Sequence, residues 1–135
     1  MKRKFTCILI AIVMLVMIPQ QIFAHDFSNE GIITPRWTYI TKLVSILSDT
    51  GSIEAGASVN GSYDIELIAE IQEKDGFSWD TVETWTETTN ISVSIEDDYP
   101  LDYGVDYRLK VSVKIYNSSG KVIETASKYS STVTG

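Results

Sequence analysis

Tyr107-Arg108-Leu109-Lys110-Val111-Ser112-Val113-Lys114-Ile115-Tyr116 alternates apolar and polar side chains without a break up to its last residue. Successive side chains of a strand point to opposite faces. Tyr107, Leu109, Val111, Val113 and Ile115 therefore share one face, and Arg108, Lys110, Ser112 and Lys114 the other. The pattern predicts a half-buried, central antiparallel strand, with one side on a core and the other in water.

Working outward, the same period of two recurs in short stretches separated by Gly, Asn, Asp and Ser clusters. A first strand is expected over about Thr38 to Leu47, with Ile40, Val44 and Ile46 on one parity, and a second over about Ile53 to Val59. The third, about Tyr63 to Gln72, sets Ile65, Leu67, Ala69 and Ile71 against Glu66, Glu70 and Gln72. A fourth covers about Thr81 to Thr86, a fifth Ile91 to Ile95, and a seventh about Val122 to Tyr129. Asp49-Thr50-Gly51, Asn60-Gly61, Lys74-Asp75-Gly76 and Asn117-Ser118-Ser119-Gly120 supply the turns. Each one-sided sheet needs a second apolar face to cover it. The fold expected is all-β, a single antiparallel two-sheet sandwich of about seven strands, with a small β-barrel as the alternative.

The N-terminus has a different logic. Met1-Lys2-Arg3-Lys4 is followed by an apolar run from Phe5 to Ile18, then Pro19 and a small residue, Ala24, before the polar His25-Asp26. Basic, apolar, helix-breaking, small is the order of a cleavable signal peptide, and the run is shorter than the roughly 18 residues of a membrane-spanning helix. Residues 1–24 are read as a signal peptide, 25–36 as a flexible lead-in with no sustained periodicity, and 37–135 as the β-sandwich domain. Secretion to the extracellular space is the expected localisation, with no membrane contact once the signal is removed.

Cleavage after Ala24 would leave 111 of the 135 residues and remove Cys7, the one cysteine, so no disulfide is available to the mature chain. It would also remove three of the 11 basic residues and none of the 18 acidic ones, leaving 8 against 18, a net charge of −10. Such an acidic chain is a poor partner for nucleic acid, whose phosphates need clustered Lys and Arg.

Leu101-Asp102-Tyr103-Gly104-Val105-Asp106-Tyr107 resembles the corner before the penultimate strand of fibronectin type III domains, members of the immunoglobulin-like sandwiches. The resemblance implies that Leu101, Gly104 and Tyr107 are structural, the Tyr107 hydroxyl bonding back to upstream backbone. The stretch from Ile65 to Trp85 is similar to the middle hairpin of that superfamily. Over nearly its whole mature length, through Pro35-Arg36-Trp37-Thr38-Tyr39, the Trp79 and Trp85 pair and Tyr107-Arg108, the chain also resembles small secreted proteins of Gram-positive bacteria in a domain family of unassigned function, which implies no activity.

The residues offer little catalytic chemistry. Nucleophilic catalysis needs a base fixed beside its nucleophile, and the single His25 sits at the expected mature N-terminus. The chain is read as no enzyme, needing no cofactor. Calcium is the one metal the sequence offers ligands for, with Asp97, Asp98 and Asp102 in the acidic stretch before the sixth strand. The stronger signal is aromatic, because an exposed flat ring can stack on a sugar or peptide. Trp79 and Trp85 share one strand parity and Val82 takes the other, so in an unbulged strand either both rings or Val82 face outward. Trp37 and Tyr39 are expected to join them. The expected role is a monomeric, non-enzymatic binding module for an unidentified extracellular glycan or protein, set against a structural or interaction domain with no ligand site. Three Asn-x-Ser sequences, at Asn60, Asn90 and Asn117, are read as turn chemistry.

Overall fold

The computed structural model describes residues 36–135. The expected signal peptide, residues 1–24, and all but the last residue of the lead-in lie outside the described residues. Eight strands follow in order: β1 Ile40–Leu47, β2 Ser52–Val59, β3 Asp64–Asp75, β4 Ser78–Asn90, β5 Ser92–Asp98, β6 Asp106–Tyr116, β7 Val122–Tyr129 and β8 Val133–Thr134. They form two antiparallel sheets packed face to face, one ordered β1-β2-β5 and the other β4-β3-β6-β7, with the short β8 pairing to β6. The chain is a β-sandwich.

β6 lies in the middle of the larger sheet, as its alternation demands. Tyr107, Leu109, Val111, Val113 and Ile115 are at most 1% exposed. They pack with Ile65, Leu67, Ala69 and Ile71 of β3 onto Ile53, Ala55 and Ala57 of β2, Val93 and Ile95 of β5, and Leu43 and Leu47 of β1. Truncating one such Leu or Ile to Ala typically costs about 2–5 kcal/mol. A core this continuous explains how the fold does without a disulfide.

Four expectations are corrected. In β1, Ile40 pairs with Val59 but the next ladder pair is Lys42 with Ser58, so Thr41 is a bulge. The bulge resets the parity. Leu43, Ser45 and Leu47 go inward with Ile40, while Val44 is half-buried and Ile46 is 49% exposed. The buried Ser45 hydroxyl donates to the Leu109 carbonyl at 2.9 Å, tying the two sheets together. Second, Asn60-Gly61 does not close a hairpin, because β2 and β3 belong to different sheets. Third, the β3–β4 hairpin runs up to a turn at Gly76 and Phe77, well beyond the expected Gln72 and Thr81. Its Thr, Glu and Asp residues pair as a solvated edge, which carries no apolar period for a sequence reading to find. Fourth, Ile91 does not join Val93 and Ile95 in β5. It is 56% exposed with φ of 70° and carries the chain from one sheet to the other.

Candidate binding face

The outward side of the larger sheet is a ladder of directly opposed pairs between β3 and β6, polar on both strands except at Ile68: Gln72 with Arg108, Glu70 with Lys110, Ile68 with Ser112 and Glu66 with Lys114. Lys110 Nζ lies 3.1 Å from Glu70 Oε2, and Lys114 Nζ 3.4 Å from Glu66 Oε1. The Tyr116 hydroxyl donates to Glu66 at 2.5 Å. That bond, with Lys114, holds the Glu66 carboxyl below its ordinary pKa against the opposing effect of burial, and in turn raises the Tyr116 phenol.

At one end of this ladder the aromatics enter. Arg108 Nε donates to Gln72 Oε1 at 2.8 Å, which fixes the plane of the guanidinium. Its carbon lies 4.3 Å from the centroid of Trp79 on β4 and 4.3 Å from that of Tyr129 on β7. These strands lie on opposite flanks of the β3–β6 pair. Arg108 thus joins two rings across the width of the sheet. Tyr129 is 47% exposed, Trp79 is half-buried, and Phe77, two residues before Trp79, is fully exposed.

Trp85 is not part of this face. Trp85 pairs with Ala69, whose side chain is in the core, whereas Trp79 pairs with Lys74. Between them the partners step from Ile71 with Glu83 to Gln72 with Thr81, which leaves Val82 as an extra residue. This bulge sends the two tryptophans to opposite faces and overturns the shared parity expected of an unbulged strand. Trp85 closes the open side of the sandwich: it packs on the core and its Nε1 donates to Asp97 Oδ2 on β5 at 2.7 Å.

Trp37 and Tyr39 are likewise not on the ladder face. Both are partly buried against the core, and Tyr39 meets Tyr63 edge to face with centroids 4.9 Å apart. The four aromatics expected to form one patch are therefore dispersed. The partners of Trp79 are instead Arg108 and Tyr129, a grouping that is invisible until β4, β6 and β7 are placed in one sheet.

The acidic stretch also has other work. Asp97 accepts from Trp85 through one oxygen and from the Asp98 backbone N–H through the other, at 2.8 Å. Among the described residues no three acidic, His or Cys side chains converge as metal ligands. Asp102 stands at the corner, where its N–H donates to the buried Tyr107 hydroxyl at 3.3 Å. Leu101 packs on the core beside it, and Gly104 takes φ of 78°, a value that favours glycine. The turn reading of Asn117 has a direct counterpart, since its Oδ1 accepts from the N–H groups of Ser119 and Lys121.

The sequence matches no family model and no curated protein.

Proposed function

We propose that the chain is exported and acts outside the cell as a non-enzymatic binding module for a glycan, with the outer face of the β4-β3-β6-β7 sheet as its platform. The observation that carries this reading is the pair of rings, Trp79 and Tyr129, held by Arg108 at 4.3 Å on a solvent-facing sheet. Sugar rings present flat apolar C–H faces that stack on aromatics, and rings fixed before binding lose little conformational freedom when the ligand arrives. The basic and apolar start of the sequence supports export. The packing of β1-β2-β5 against β4-β3-β6-β7, to which the two-residue β8 adds a fifth strand, and the Tyr107 corner support the resemblance to fibronectin type III domains.

The test is a titration of intrinsic tryptophan fluorescence with a panel of cell-wall and plant oligosaccharides. Binding by the parent chain, with affinity reduced about tenfold or more in Trp79→Ala and unchanged in Trp37→Phe, is the expected outcome. A panel without a single binder, or binding indifferent to Trp79, rejects the reading.

A further inference from the structure

The glycan reading leaves open what kind of sugar the face selects, and the geometry of Arg108 bears on that directly. Its Nε is occupied by Gln72, and the two terminal nitrogens make no hydrogen bond among the described residues. The neighbouring cations are already neutralised: Lys110 pairs with Glu70, and Lys74 Nζ lies 3.8 Å from Asp106 Oδ2. Arg108 itself belongs to no ion pair among the described residues. An oriented guanidinium with a free donor edge, flanked by two aromatic rings, matches a planar carboxylate carried on a pyranose ring. The rings take the sugar, and the fork takes the two carboxylate oxygens.

We infer that this face selects acidic sugars, and that the outward edge of the Arg108 guanidinium, held between Trp79 and Tyr129, receives the carboxylate of a uronic acid residue lying over that aromatic pair. The inference rests on the glycan reading above. It also explains why, among the described residues, one guanidinium without an ion pair stands on an otherwise charge-balanced ladder. Stacking does not consume the hydrogen-bonding edge of an arginine, so the two aromatic contacts fix the cation while leaving its donors free.

The experiment compares binding of an oligogalacturonate with binding of its methyl ester, which has the same rings and linkages but no charge. The purified parent chain is expected to bind the acid at least about tenfold more tightly than the ester, as befits a bidentate charge-assisted pair. In Arg108→Gln, with its fold checked by circular dichroism, the two affinities should converge. The comparison on the parent chain stands even if that variant fails to fold. Equal binding of acid and ester overturns the inference and leaves the glycan reading intact, whereas no binding of either, or of any other glycan, removes both. An acid preference that survives in folded Arg108→Gln places the carboxylate elsewhere and also overturns the inference.

Discussion

Two residues carry more of the architecture than their positions in the sequence suggest. Glu124 on β7 accepts three backbone N–H groups from the start of the opposite sheet, those of Thr38 at 2.6 Å, Tyr39 at 2.9 Å and Ile40 at 2.8 Å. Burial alone would raise its pKa, but the three donors outweigh it and hold the carboxyl below its ordinary value. A carboxyl depressed in the folded state stabilises the fold above its unfolded pKa, and that contribution is lost as pH falls through the folded value. Glu124→Ala is expected to lower stability at pH 7 by about 2–3 kcal/mol, because three donors lose a charged acceptor. Urea midpoints should show the gap between parent and variant narrowing below about pH 4. Ile91 is the reverse case. It is exposed, β-branched and held at φ of 70°, a conformation that costs such a residue about 1–2 kcal/mol. Ile91→Gly should therefore raise stability by about 0.5–1 kcal/mol, read as a higher urea midpoint, once the greater freedom of glycine in the unfolded chain is set against the relieved strain. A destabilised Ile91→Gly would show that the side chain packs more than its exposure implies.

At the scale of the element, the Val82 bulge decides the character of β4. The strand is 13 residues long and lies at the edge of its sheet, where exposed backbone invites pairing with another chain. Bulges twist such edges and blunt them, and Glu83 and Glu87 add charge along this one. The bulge also separates Trp79 from Trp85. Because Thr81 and Glu83 are already paired with the consecutive residues Gln72 and Ile71, deletion of Val82 would join two ladders without moving either. A Val82 deletion is thus expected to cost less than about 1 kcal/mol and to leave Trp79 over Arg108 and Trp85 on the core. Urea titration monitored by fluorescence reads both consequences together. A loss of several kcal/mol, or exposure of Trp85 to iodide quenching, would show that the bulge itself holds the hairpin in place.

Across the molecule, stability comes from one continuous apolar core clamped by a few contacts between the sheets. The contacts are Ser45 to Leu109, Glu124 to the start of β1, Lys128 to the Leu43 carbonyl and Trp85 to Asp97. None uses a metal or a thiol. The melting temperature of the β-sandwich is accordingly expected to be unchanged, within about 1 °C, by a calcium chelator or by a reductant, because among the described residues no three acidic side chains converge and no cysteine occurs. A calcium-dependent rise would restore Asp97, Asp98 and Asp102 as ligands and would require Asp97 to give up its bond to Trp85.

Alternation in β6 and β3 was enough to establish an all-β chain with one buried face per sheet, because a period of two has a single structural meaning when it is sustained. The corner at Leu101, Gly104 and Tyr107 came from a resemblance carried by a short local stretch, and there the Asp102 N–H donates to the Tyr107 hydroxyl. Legibility failed where one extra residue changes parity. Thr41 and Val82 are ordinary in sequence, yet each flips everything beyond it to the other face. The assignment of strands to sheets was equally hidden, so Asn60-Gly61 looked like a hairpin when it is a crossing. For the same reason the grouping of Trp79, Arg108 and Tyr129 belongs to the tertiary structure alone. Residues 79, 108 and 129 meet only because β4, β3, β6 and β7 lie side by side, and hydrogen-bonded register, a long-range property, sets which side chains share a face.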